Sequence, residues 1–206
     1  MAQPAAHDSL VATLMRMAAE QPVENIRVNK ACEEAGISRA IFYRIADSPA
    51  EVIVGEQCSI YEKRREDYAG IMSVFGVDGY SLYVIQVSLV MADVWEYADI
   101  YRQSFTQIPS VLAGELLPFV REGIGGFIRL CGNEINFPEA VKRLPEGGRI
   151  RMLSTHFAHG EVGVVRAWIE QEGRAAIEDV LQAFLGLPAW HSRWSDTWVM
   201  GRSRGR

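Results

Sequence analysis

Apolar positions in this chain recur at three- and four-residue intervals almost throughout. No stretch of any length alternates in twos, so the pattern predicts helices and no sheet. A loose end at residues 1–7 is expected to lead into a first helix capped by Asp8, with Leu10, Leu14, Met17 and Ala18 as its inner stripe. Glu20-Gln-Pro-Val-Glu-Asn closes that helix, and Ile26 and Val28 begin the packing of a short run to Glu34. Gly36 is free to take the left-handed turn that ends the run. Ser38 stands where it can cap a new helix from Arg39 to about Ala46, and Ile37 and Phe42 are spaced as a hydrophobic staple across its entry. Ser48-Pro49-Ala50-Glu51 has the form of a capping box with proline at the first helical position. It should open a long helix to about Tyr68, with Val52, Ile53 and Ile60 inward.

Past Gly70 the periodicity continues. Asp78 can cap a helix from about Gly79 to Tyr97 through Tyr80, Val84, Val87, Met91 and Val94, and a shorter one follows from Ala98 to Thr106. Pro109 opens another to about Leu130, with bends expected at Pro118 and at Gly123-Ile-Gly-Gly. Gly132 to Gly148 reads as a connection with at most one helical turn. Arg149 to Gln171 should be helical, with Ile150, Leu153, Phe157, Val164 and Trp168 on one side and Ala158, Gly160 and Gly163 leaving room for a neighbour. Ala175 to Leu185 adds an amphipathic helix through Ile177, Val180, Leu181, Phe184 and Leu185. The tail from Pro188 to Arg206 carries Trp190, Trp194 and Trp198 at every fourth position. They would stack on one side of a helix and pack on this chain or a partner. A basic tail (Arg202, Arg204, Arg206) touching DNA is the competing reading. The fold class is therefore all-α, with a helical head at 1–48, a larger helical domain at 49–187 and a Trp-rich tail at 188–206.

Two helices joined by so short a turn as Ala35-Gly36-Ile37-Ser38 make a helix-turn-helix. At about 100° per residue the second helix puts Phe42 and Ile45 inside, while Arg39, Ala40, Tyr43 and Arg44 share the outer side. Two cations, a hydroxyl and a small alanine suit a DNA groove, giving phosphate partners and a place where backbone can come close. An ordinary helical corner with solvated arginines would look the same at this level.

The balance shifts with the whole first segment. Leu10 to Ala19, Val28 to Glu34, Ala35-Gly36-Ile37-Ser38 and Phe42-Tyr43-Arg44 together resemble the N-terminal domain of tetracycline-repressor (TetR) family transcriptional regulators. His-Phe-Ala-His-Gly, then Val-Val-Arg-Ala-Trp-Ile and Ile-Glu-Asp-Val-Leu, resemble the last two helices of many of them. The resemblance implies a dimeric, all-helical, ligand-responsive regulator, a repressor by type, that binds a palindromic double-stranded operator. It implies that Tyr43 bonds a phosphate and that positions 39 to 41 approach base edges, so Arg39, Tyr43 and Arg44, with Lys30, Ser38, Ala40 and Ile41, form the expected DNA face. It also implies a small-molecule pocket between about residues 79 and 171, for which Trp95, Tyr97, Tyr101, Phe105, Phe119, Phe127, Met152 and His156 are candidates. A homodimer seam through Phe157, Gly160, Val164, Trp168, Val180 and Phe184 follows in the same way. The chain departs from the family pattern at three places. Arg27 replaces a threonine before the second helix, Ala46 an aromatic, and Pro49 the phosphate-binding lysine at the start of the fourth helix.

Charge sharpens the picture. The net charge of −5 argues against indiscriminate nucleic-acid binding. Within residues 1–48, Arg16, Arg27, Lys30, Arg39 and Arg44 face more numerous Asp8, Glu20, Glu24, Glu33, Glu34 and Asp47, so affinity must come from where a few cations sit. Lys63-Arg64-Arg65 reads as a solvated face. No apolar run reaches the ~18 residues needed to span a bilayer, and the first residues have neither the basic start nor the apolar core of a signal peptide. Cys32, Cys58 and Cys131 are odd in number and far apart, which argues against a disulfide framework or structural zinc and fits a reducing cytoplasm. Gly123-Ile-Gly-Gly is no phosphate loop, since no strand precedes it and no Lys-Ser/Thr follows. No cofactor is expected. The rival readings are a regulator fold used only for protein contacts, and an enzyme using His156 and His159 with Glu161. For the enzyme, no third metal ligand is evident and the spacing is not His-Glu-x-x-His, so a non-enzymatic regulator is the expectation.

Overall fold

The structure is a computed structural model that describes residues 2–75, 79–105, 107, 109–131, 139–171 and 179–180. Every regular element among them is helical, as the periodicity predicts. The expected cap at Asp78, the loop at 132–138, most of the helix at 175–185 (with Phe184), and the tryptophan tail lie outside the described residues.

Helix α1 spans Ala2–Glu20 and starts earlier than the expected cap at Asp8. The alanine-rich start favours helix, and Pro4 falls in the first turn, where its missing N–H is no loss. Its stripe is buried as predicted: Leu10, Leu14, Met17 and Ala18 are closed to solvent. A 3-10 turn at Val23–Asn25 leads to α2 (Val28–Ala35), then α3 (Arg39–Ile45) and α4 (Pro49–Phe75). Helix α4 passes Tyr68 and runs through Gly70, because one helical glycine costs only about 1 kcal/mol. Helices α5 (Gly79–Glu96), α6 (Ala98–Phe105) and α7 (Val111–Cys131) follow. Helix α7 is continuous through Pro118 and Gly123–Gly126, its start capped by Ser110 Oγ, which accepts from the Ala113 N–H at 3.1 Å. A single turn, α8 (Glu139–Lys142), precedes α9 (Glu146–Glu170). Helix α9 begins before Arg149, with Glu146 in its first turn where the helix dipole favours a carboxylate.

By contacts the chain forms two compact units, residues 1–68 with 90–119 and residues 69–89 with 120–206. The first groups the head with α6 because α1 packs more extensively on α6 than on α2 or α3. Two long-range hydrogen bonds tie that packing. The Val23 N–H donates to Ser104 Oγ at 3.2 Å in a site closed to water, and the Val111 N–H donates to Glu24 Oε1 at 2.8 Å. In the second unit Ile128 of α7 and Leu153 of α9 form a buried nucleus, with Ile124, Val141, Ile150 and Phe157 packed against it.

Candidate nucleic-acid interface

The turn between α2 and α3 is made by two residues. Gly36 sits at φ 67°, ψ 30°, a conformation that costs an L-residue about 1–2 kcal/mol. With it there, the Gly36 N–H reaches the Glu33 carbonyl and the Ile37 N–H the Cys32 carbonyl, the paired bonds of a Schellman end. Ser38 then takes an extended conformation, and its Oγ accepts from the Ile41 N–H at 3.2 Å. The cap read from the sequence is the cap observed.

Helix α3 is anchored by Phe42, which is wholly buried, with Ile45 half-buried beside it. Its other face is open: Ser38, Arg39, Ala40, Tyr43 and Arg44 are all exposed, Tyr43 to 49%, and Ile41 is half-buried. The Tyr43 ring stands edge-on to Phe42 at 5.2 Å between centroids, and the Arg39 guanidinium lies 5.8 Å from the Tyr43 ring centre. That contact lies within cation–π range and favours one arrangement of the two side chains. Among the described residues neither Arg39 nor Arg44 has a carboxylate within salt-bridge distance, so both cations are available to phosphate or base. Lys30 is exposed but placed differently. Its Nζ lies 3.7 Å from Glu34 Oε1, and Glu34 also binds Arg16. Arg27 begins α2 with no side-chain cap and is exposed.

The start of α4 shows what Pro49 leaves. Ser48 Oγ accepts from the Glu51 N–H at 3.1 Å, as a capping box requires. Glu51 does not return to Ser48; its carboxylate accepts from the Asp47 N–H at 2.7 Å instead. The turn into α4 is therefore held by the protein's own carboxylate, beside Pro49.

The eight residues expected to line an effector pocket divide between the two compact units. Five lie in the first compact unit and three in the second. Tyr101 and Phe105 are core residues, edge to face at 5.1 Å, and Phe127 is buried. Phe119 is half-buried, edge-on to Tyr61 at 5.5 Å. Trp95 (53% exposed), Met152 (48%) and His156 are exposed on their helices. Around Tyr101 there is instead a polar cluster that periodicity did not reveal. The Tyr101 hydroxyl donates to Gln57 Oε1 at 3.2 Å, and Arg64 binds both Asp93 and Glu96. Arg64 therefore leaves the solvated face expected for its charge run. Burial pushes the Asp93 carboxyl above the usual carboxylate range, with Arg64 opposing, and raises the Tyr101 hydroxyl. Tyr97, half-buried beside Glu96, is raised first by burial and then by that carboxylate. The signal for Asp93 is a carboxylate four residues after Leu89, in the helix that carries Val87, Met91 and Val94.

The expected dimer residues divide in a similar way. Trp168 and Val180 are buried within one chain. Phe157 packs on the Ile128–Leu153 nucleus, Val164 is half-buried, and Gly160 is exposed. His156 and His159 are both exposed, and His159 Nδ1 lies 2.8 Å from the Thr155 carbonyl oxygen of its own helix. Among the described residues no group of three or more His, Cys, Asp or Glu could hold a metal ion, and no helix is long and apolar enough to cross a membrane.

No family model and no curated protein matches this sequence. Among solved structures, the crystal structure of a TetR transcriptional regulator from Rhodococcus sp. RHA1 superposes with a TM-score of 0.53 over 89% of this chain and 93% of that one, at 14% identity. The chain has the TetR fold. At that identity the likeness is one of fold alone.

Proposed function

We propose that this protein is a transcriptional regulator that binds a palindromic DNA operator as a homodimer and responds to a small molecule. The observation that carries the reading is the open face of α3, where Arg39, Tyr43 and Arg44 stand exposed on a helix fixed by the Ser38 cap and the buried Phe42. A helix so presented enters a major groove with its side chains toward base edges and phosphates. Arg39 or Arg44 held bidentate to guanine would discriminate by ~1–3 kcal/mol, while Tyr43 bonds a phosphate and Ile41 meets a thymine methyl. Lys30 contributes less, because Glu34 competes for it. Coupling to a ligand would run through the α1–α6 packing and the Val23–Ser104 bond, which join the head to residues 98–111. A ligand that favours one separation of the two heads shifts the population toward or away from DNA.

Selection of bound duplexes from random DNA tests this. An enriched palindrome supports dimer and DNA reading together; a pool with no enriched sequence rejects them. A second reading, a regulator fold used for protein contacts, is favoured by one pair of observations. Lys30 and Arg16 are both drawn to Glu34, and Pro49 stands where the resemblance would place a phosphate-binding lysine. The same selection separates the two.

A further inference from the structure

The second compact unit holds a cleft of about 740 Å³ between α7 and α9, within the ~300–1,000 Å³ usual for a small-molecule site. None of the residues proposed for DNA or for the aromatic pocket lines it. Arg121 and Arg129 come from α7 and Arg151 from α9, all exposed at its rim. Among the described residues none of these three has a carboxylate within salt-bridge distance, although Glu122 and Glu146 line the same cleft. An anion bound at this rim would give these cations a partner.

The Gly125–Gly126 pair belongs to this arrangement. A side chain at Gly125 would have its Cβ 3.6 Å from Arg129 Nη1 and 3.5 Å from Ile150 Cγ2; one at Gly126 would stand 3.8 Å from Arg129 Nη2. The guanidinium of Arg129 thus lies back along its own helix over the glycines, on the wall that faces Ile150 and the buried Ser154. The Ser154 hydroxyl is held by the Arg151 carbonyl at 3.2 Å. The Arg129 guanidinium lies against the glycine backbone at distances a Cβ would meet as ordinary van der Waals contact.

We propose that this cleft binds an amphipathic organic acid, its single carboxylate held by Arg121, Arg129 and Arg151 and its apolar body laid against Ile150 and the glycine backbone. The guanidinium fork matches a carboxylate in two parallel hydrogen bonds. Three cations against two carboxylates leave one positive charge, which suits a monoanion and disfavours a polyanion such as DNA. The proposal is independent of the DNA reading, since no residue of the α3 face takes part.

Calorimetric titration of the full chain with octanoate, 1-octanol and octylamine tests it. Octanoate should bind saturably, one per chain, and octylamine should not. Arg129→Gln and Arg151→Gln should each weaken octanoate by about tenfold, one charge-assisted contact, with unchanged helical content. Arg102→Gln, on α6, should leave binding as it was. No saturable binding of octanoate, equal binding of 1-octanol, or undiminished affinity in both arginine variants would overturn the proposal. None of these measurements involves DNA, so failure here leaves the regulator reading standing.

Discussion

Replacing Ser104 by alanine isolates the joint between the head and α6. Ser104 is fully buried, and its Oγ is the acceptor for the Val23 N–H, 81 residues away in sequence. The substitution removes one oxygen and creates little void, so the packing loss is small. What remains is a backbone N–H sealed from water without an acceptor, at a cost of ~1–3 kcal/mol. With a urea m-value of about 2 kcal/mol/M for a chain of this size, the unfolding midpoint should fall by roughly 0.5–1.5 M at unchanged slope. Protein concentration must be held constant, because an oligomer's stability depends on it. Ser110→Ala, which removes the α7 cap, serves as a comparison and should cost ~0.5–2 kcal/mol. A Ser104→Ala midpoint within about 0.1 M of the parent would refute the reasoning, since Val23 would then have another acceptor or the joint would carry no load. If the joint transmits ligand binding to the head, the same variant should also weaken the coupling between effector and DNA.

Gly36→Ala places an L-residue at φ 67° where no neighbouring atom lies within 4 Å, so the cost is backbone strain alone, about 1–2 kcal/mol by urea unfolding. A neutral result would mean that the turn relaxes without loss. Cys58 is raised from 9.0 to about 11, first by burial and then by the neighbouring Glu62. At pH 8 its thiolate fraction, and so its alkylation by iodoacetamide, should be about a hundredfold below that of an unperturbed thiol. A rate equal to a model thiol's would contradict that environment. The folded thiol keeps its proton to higher pH than the unfolded one, so its contribution to stability is intact below about 9 and is lost as pH rises from there toward about 11. Burial of Tyr101 acts in the same direction above the ordinary tyrosine range. Thermal midpoints should accordingly be flat to about pH 9 and then fall; a rise would reverse the assignment.

The parts of the fold that the sequence made legible are those whose chemistry is local. Gly36, Ser38 and the spacing of Phe42 against Arg39, Tyr43 and Arg44 are encoded within ten residues, and caps and periodicity read them directly. Helix ends at Ala2, Phe75 and Glu146 were less legible, because no strong stop signal opposes continuation through Ala, Gly or Glu. The rest depends on residues far apart in the chain. Nothing beside Ser104 announces that Val23 will donate to it, and Arg64 looked solvated because its partners, Asp93 and Glu96, arrive on another helix. Aromatic residues between 79 and 171 divide into core residues such as Tyr101 and exposed ones such as Trp95, since aromaticity does not encode which side of a helix meets a cavity. The α7–α9 cleft is not legible in the sequence for the converse reason, its lining being mostly arginine, glutamate and glycine.

Fluorescence anisotropy of a labelled duplex carrying the selected sequence, for the parent and for Tyr43→Ala and Arg44→Ala, tests the central claim most directly. Both side chains are exposed, so unfolding free energies should stay within about 0.5 kcal/mol of the parent. Affinity should fall about tenfold or more in each variant, and loss of a phosphate contact should reduce the salt slope by ~0.9 log units per contact. Parental affinity in both variants, with the fold intact, would contradict the assignment of the α3 face to DNA.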